Sequence, residues 1–436
     1  MGGTALSHVF YRNFHNKYPE ISHGHRVYLW DSGGNRYFDG ASGALVANLG
    51  HGRKDIAEVI CAQVEKVAFA HTMRFTSAPL ERLGRNINAV LQGEGWYVYP
   101  TSGGSEAVET AIKLSRQVQL ERGHPERYRI LTRRSSYHGN SIGALSASGH
   151  ASRRQPYGPL LSDAFILVDA PKAHCPGLGT GEPCDCVAPF LAAIDQYGAE
   201  SIAAMMVEPI GGSARSGFVP HEGYLKSLRE IADRYGIILI FDEVMSGFGR
   251  TGKVLAADYE GVLPDIVVVA KGLSGGYAPL GAVIANEDIY QAIRAGSGHF
   301  VHGFTYSGNP VAAAVGARVI EILQEEGLID NAAVQGVALR RGLEELCDRY
   351  PWISTIRGRG LMQGILFAPI PGLAKLVVDT AWEHGCILYL GSGETEGGDG
   401  EHLLAAPPLI INDTEMGEFL DLIAEVLAVV DRRIST

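Results

Sequence analysis

The chain has 436 residues, 46% of them hydrophobic and 19% charged, with 55 glycines and a formal net charge of −11. Such a length and mixture belong to a globular chain with a large core and, by size, two domains, and they exclude disordered and fibrous classes. An acidic balance with no basic block argues against nucleic acid or anionic membrane surfaces as partners, and no run approaches the roughly 20 apolar residues of a membrane span.

The stretch from Ile21 to Asn48 carries turn signals between short alternating runs, Val27–Trp30 and Tyr37–Gly40, and reads as a small β meander. From Lys54 to Ala70 the residues Ile56, Val59, Ile60, Val64 and Val67 recur at helical spacing, which predicts an amphipathic helix. Strands are expected at Trp96–Pro100, Arg129–Thr132, Phe165–Val168, Ile202–Val207, Gly236–Phe241, Ile266–Ala270 and Gly281–Ala285. Helices are expected at Val108–Leu120, Tyr224–Tyr235 and along a run from Val311 to Tyr350. Beyond Ile356, the stretches Gly364–Phe367, Ile387–Leu390 and His402–Leu404 are candidate strands of a second, smaller α+β domain.

Three apolar runs of strand length end on charge: Ile202–Val207 on Glu208, Gly236–Phe241 on Asp242, and Ile266–Ala270 on Lys271. In an open α/β sheet the carboxyl ends of parallel strands form the ligand crevice, so Asp242 and Lys271 can face one small molecule there. This is the arrangement a pyridoxal phosphate enzyme needs, with a lysine to form a Schiff base and an aspartate to keep the pyridine nitrogen protonated. A buried Glu208 must find a donor or become protonated. Ahead of them, Thr101-Ser102-Gly103-Gly104-Ser105 joins a strand to a helix N-terminus, where free amides and the helix dipole favour an anion such as a cofactor phosphate.

Asp242-Glu243-Val244, Gly247-Phe248-Gly249-Arg250-Thr251-Gly252, Pro264-Asp265, Lys271-Gly272 and Pro279-Leu280-Gly281 together resemble the signature of class III aminotransferases, and the resemblance runs from about Tyr18 to the final helix. It implies an α/β fold of type I, with a mostly parallel seven-stranded sheet in a large domain over residues 61–310. Residues 1–60 and 311–436 would share the small domain. Gly281–Ala285 would be an antiparallel strand at the sheet edge.

The same resemblance implies pyridoxal 5'-phosphate as cofactor, with Lys271 and Asp242 as catalytic residues. Gly104 and Ser105 would bind its phosphate, Tyr137 would stack on the ring beside His138, and Glu208 and Val244 would lie close by. His302-Gly303-Phe304-Thr305 resembles a segment whose threonine reaches the phosphate of the neighbouring subunit, which implies a homodimer with shared sites. Gly103 stands where the family usually has serine. Leu45 falls where several relatives carry a bulky aromatic, so it becomes a candidate pocket residue.

The expected activity is transfer of an amino group from an amine or amino acid to a keto acid or aldehyde. Racemase, aminomutase and decarboxylase chemistry on the same scaffold remain alternatives, as does a non-catalytic scaffold role. Many relatives place a carboxylate-binding arginine shortly before the segment matching Ala406-Pro407-Pro408, yet this chain has no arginine between Gly360 and Asp431. The tract from Gly391 to Glu401 is acidic and glycine-rich and is expected to be a mobile loop, which leaves Arg74 and Arg215 as candidates for the substrate's acid group.

Six cysteines suit a reducing compartment, and the N-terminus lacks the layout of a signal peptide, so the expected location is the cytoplasm. His174, Cys175, Cys184 and Cys186 could in number make a zinc site, but their spacing is not the paired kind, so reduced loop cysteines and no metal are expected.

Overall fold

The computed structural model describes residues 7–93, 95–171, 185–395 and 398–435. Three short strands, β1 (Ile21–His25), β2 (Tyr28–Asp31) and β3 (Arg36–Phe38), form the expected N-terminal meander. Next come β4 (Tyr97–Thr101), β5 (Arg129–Arg133), β6 (Phe165–Val168), β7 (Ile202–Val207), β8 (Ile238–Asp242), β9 (Ile266–Val269) and β10 (Gly281–Ala285). They build a seven-stranded sheet in the order β4-β10-β9-β8-β7-β5-β6. The strands from β5 to β9 pair in parallel, whereas β10 is antiparallel to both of its neighbours.

Both faces of the sheet are covered, which is why its strands read as unbroken apolar runs rather than as an alternation. Met205, Val207, Leu239 and Phe241 point to one face and pack with the helices Ala188–Tyr197 and Tyr224–Tyr235. Their neighbours Ala204, Met206, Ile238 and Ile240 point to the other and pack with the helix Gly104–Glu121.

The sheet edge differs from expectation: β10 lies one strand in, and β4 forms the edge outside it. Every residue of β10 is buried, as an interior strand requires, whereas Tyr97, Val98 and Tyr99 of β4 are half-buried. Pro100 of β4 has no N–H to donate, and an edge strand is where proline is tolerated.

The first helix of the sheet layer begins at Gly104, four residues earlier than its apolar periodicity predicts, with Gly103 as its N-cap. The long C-terminal run is two helices, Pro310–Glu325 and Leu328–Cys347, because Gly327 between them takes a left-handed φ of 61°. The helix Ala78–Val90 was not anticipated, although Ser77 caps Leu80 N and Pro79 sits in its first turn.

The remaining strands are β11 (Ile353–Arg359), β12 (Met362–Phe367), β13 (Tyr389–Leu390), β14 (Glu394–Thr395), β15 (Gly398–Asp399) and β16 (His402–Ala405). Four of them make a sheet in the order β11-β12-β16-β13, while β14 and β15 pair with each other. The glycine-rich tract is therefore not loop throughout. Its Ser392 N–H donates to Ser213 O at 3.0 Å, which lays it against the segment that follows β7.

The N-terminal meander docks on the last helix, Asp413–Ile434. Arg26 grips both carboxylate oxygens of Glu415 at 2.7 and 2.9 Å, and Phe38 stacks on Phe419 with centroids 4.9 Å apart. Where these segments meet the large sheet's loops, Arg250 is fully buried. It donates to Leu361 O at 3.1 Å, Pro407 O at 2.6 Å, Ser42 Oγ at 3.0 Å and Asn48 Oδ1 at 2.7 Å. Burial among mostly neutral acceptors pulls its guanidinium down to about 9. Arg250→Ala leaves these buried acceptors without their donor and opens a cavity, so it should destabilise the chain by on the order of 3 kcal/mol, measured as a lower urea midpoint.

Candidate active site

The carboxyl ends of the sheet strands open on a cavity of about 420 Å³ lined by Asp242 and Lys271. Asp242 is the last residue of β8, and Lys271 follows the end of β9, so the topology delivers the two charges to the same opening. Lys271 is half-buried and has a φ of 43°, a left-handed conformation that costs a residue with a Cβ on the order of 1 kcal/mol or more. Burial pulls its amine down to about 8, while Asp242 and then Glu208 act in the opposite sense.

Both oxygens of Asp242 are held. Val244 N–H donates to Oδ1 at 3.0 Å, and the buried His138 lies with Nδ1 at 2.7 Å from Oδ2, where it donates its N–H to the carboxylate. His138 is itself fixed by its backbone N–H, which donates to Ser148 Oγ at 2.8 Å. Glu208 finds the donors its burial demands in Tyr137 N–H at 3.2 Å and Gly212 N–H at 2.9 Å. Burial still pushes its carboxyl above the ordinary range.

Gly104 and Ser105 open the Gly104–Glu121 helix at the cavity wall, and no side chain caps that helix. Ser105 Oγ accepts Asn140 N–H at 3.1 Å. Gly139 has a φ of 137°, and a Cβ there would come within 2.6 Å of the Ser105 oxygen, so only glycine lets the loop close on this hydroxyl. A Cβ on Gly104 would in turn press on Val244 at 3.1 Å.

The structure thus brings Lys271, Asp242, Gly104, Ser105, Tyr137, His138, Glu208 and Val244 to one cavity. Four other candidates stand elsewhere. Thr305 is exposed and away from its own chain's cavity, and Arg74 is also exposed. Arg215 is buried, donates to Pro171 O at 2.7 Å and lies with its guanidinium carbon 3.6 Å from the Phe218 ring centre. Leu45, turned by a φ of 59°, packs in the core with Ile210, Met245 and Met362, and it is Val46 that lines the wall. A one-residue backbone twist of this kind leaves no trace in the sequence pattern.

His174, Cys175 and Cys184 lie outside the described residues, and Cys186 is buried. Among the described residues no cluster of His, Cys, Asp or Glu could hold a metal ion, and no helix is long and apolar enough to cross a membrane. Sequence reasoning did not single out Arg153, whose guanidinium carbon lies 4.7 Å from the centre of the Tyr137 ring. Its neighbours, Ser-Arg-Arg-Gln-Pro, read as an ordinary polar turn.

A buried acid, a lysine held part-way to its neutral form and an uncapped helix N-terminus around one opening suit an enzyme that handles amines on a phosphorylated cofactor. The family model for class-III aminotransferases matches residues 10–427. The chain is 34% identical over 431 residues to the uncharacterized aminotransferase YodT of Bacillus subtilis, covering 96% of each chain. Among solved structures, an amine transaminase from an uncultivated Pseudomonas species in its PLP-bound form matches with a TM-score of 0.89 at 32% identity, over 99% of this chain and 100% of that one. An (S)-enantioselective omega-transaminase from Thermomicrobium roseum matches with a TM-score of 0.85 at 36% identity, over 94% and 93%. A chain that meets this family over nearly its whole length, and places an acid and an amine at one strand-end cavity, belongs to the class III aminotransferases and is an enzyme of that class.

Proposed function

We propose that this enzyme binds pyridoxal 5'-phosphate through Lys271 and moves an amino group from an amine or amino acid to a keto acid or aldehyde. The observation that carries this reading is the convergence of Lys271 and Asp242 on a single cavity of about 420 Å³. Its walls fit the cofactor's chemistry: a carboxylate for a ring nitrogen, an aromatic side chain for a ring face, and uncapped helix amides for a phosphate. When bound, the cofactor supplies an aldehyde that links to amines and a ring that accepts the electron pair left at the substrate Cα.

The chain's residues then have distinct tasks. Lys271 would carry the cofactor and, when its amine is free, would take the substrate Cα proton; an amine near neutrality at about 8 suits that second task. Asp242, braced by His138 and Val244, holds a proton on the ring nitrogen. Tyr137 would hold a face of the ring, and Glu208 fixes the loop that presents this side chain. Gly104 and Ser105 bind the phosphate.

We further propose a homodimer in which Thr305 completes the partner's phosphate site. The exposed apolar residues Phe69, Met73, Phe75 and Tyr306 support such an interface, and Phe69 meets Tyr306 edge-on at 6.0 Å. Division into residues 61–310 and a small domain of 1–60 with 311–436 is supported by the packing of the meander on the last helix. A cytoplasmic location is supported by Cys61, Cys347 and Cys386, which form no disulfide.

Thr305→Ala should weaken cofactor retention about tenfold, the worth of one hydrogen bond to a charged group, measured by dialysis and cofactor absorbance. Unchanged retention would count against the cross-subunit contact. The activity itself is tested by mixing the holoenzyme with a panel of amines and amino acids. Conversion to the pyridoxamine form identifies a transaminase donor. A spectrum that returns to its start over racemised substrate would replace transfer by epimerisation.

A further inference from the structure

With no arginine between Gly360 and Asp431, with Arg74 exposed and with Arg215 buried against Phe218, the expected sources of a carboxylate-binding group are removed from the cavity. One cation does stand beside the cavity wall. Arg153 is half-buried, and its guanidinium lies over the ring of Tyr137, which lines the cavity. Its charge is felt at Lys271, where it disfavours the protonated amine, so it lies within electrostatic reach of the reacting end of the site.

The neighbouring arginines are committed elsewhere. Arg154 donates to the carbonyls of Leu145, Ser146 and Ser148, Arg134 pairs with Asp169, and Arg133 donates to Glu208 O. Among the described residues, no carboxylate and no carbonyl takes up the Arg153 guanidinium, whose carbon lies 4.7 Å from the centre of the Tyr137 ring. A guanidinium placed over an aromatic face keeps its N–H edges available for a ligand.

The surroundings favour an anion at those edges. His150 lies edge-on to Tyr137 at 6.3 Å, and its Nε2 is 2.9 Å from Ser392 Oγ. Burial first, and then the Arg153 charge, pull His150 down to about 4, so it is a neutral hydrogen-bonding group near neutral pH. Arg12, exposed on the N-terminal segment, adds to the positive field at Tyr137.

We propose that Arg153 receives the carboxylate of the substrate, so that donors and acceptors of this enzyme carry an acid group. This rests on the aminotransferase reading of the same cavity. The contact is a bidentate guanidinium–carboxylate pair, formed from an arginine that already stands over the Tyr137 ring.

The test compares wild type, Arg153→Ala and Arg153→Lys holoenzymes on matched donors with and without an acid group, such as 4-aminobutyrate and n-butylamine, within a panel of acid-bearing amines. Measured in the donor half-reaction alone, with no acceptor present, loss of a charge-assisted bidentate pair in Arg153→Ala should raise the half-saturating concentration of acid-bearing donors about 10- to 100-fold with the maximal rate little changed, leave the plain amine within about twofold, and be partly restored in Arg153→Lys. Equal losses on both kinds of donor would make Arg153 a mere support for Tyr137 and overturn the proposal. So would a wild type that converts only plain amines, although the aminotransferase reading would stand.

Calorimetry separates the two readings because it needs no turnover. Glutarate should bind the wild-type holoenzyme and bind Arg153→Ala at least about tenfold more weakly. Equal binding, or none to either, would overturn the role of Arg153 even if transfer is observed. No conversion of any amine, with Arg153-dependent glutarate binding intact, would sink the transfer reaction instead.

Discussion

Lys271→Ala is expected to reduce turnover by at least about 10⁴-fold, the combined loss of the cofactor-carrying amine and of the base that moves the Cα proton. Among the described residues none is placed to substitute: the cavity's remaining ionisable side chains are carboxylates, a tyrosine and a histidine already engaged with Asp242. The loss should come with the fold intact. The backbone at position 271 already sits at a left-handed φ of 43°, which alanine tolerates no worse than lysine. Single-turnover kinetics with a substrate that wild type converts, alongside far-ultraviolet circular dichroism, make the check. A variant with ordinary amine transfer would remove Lys271 from the mechanism.

Asp242→Asn is expected to cost about 10²- to 10³-fold in kcat, the range for removing one preorganised electrostatic partner. The substitution is close to isosteric, and an amide oxygen can still accept from Val244 N–H, so the loop geometry survives. What is lost is the charge. His138 N–H, 2.7 Å from Oδ2 in the native protein, would then face an amide, and the ring nitrogen would have no anion to hold its proton. The kcat of the purified variant, with cofactor content measured in parallel, distinguishes a chemical defect from poor binding. Activity within about threefold of wild type would show that Asp242 is not the ring's charge partner.

These two residues were legible because charge at the end of an apolar strand is anomalous, and the anomaly points to the crevice whatever the details of the fold. The sheet was legible for the same reason: strands buried on both faces announce themselves as runs such as Ile202–Val207. The position of β10 was readable too, but in its neighbour, since Pro100 marks β4 as the edge strand.

Other features were not legible. Nothing in the pattern around Leu45 foretells a φ of 59°, so the wall residue was missed by one position. The Arg153–Tyr137 contact joins residues whose approach depends on the turn near His150, and spacing along the chain carries no information about it. Arg250 was visible as part of a glycine-rich motif, yet its grip on carbonyls from Leu361 and Pro407 exists only once distant segments have met.

The central claim, that one lysine carries the cofactor opposite one aspartate, is tested most directly by borohydride reduction of the holoenzyme followed by peptide mapping. The account predicts a pyridoxyl group fixed on Lys271. A label on any other lysine, or a chain that takes up no cofactor at all, would contradict it.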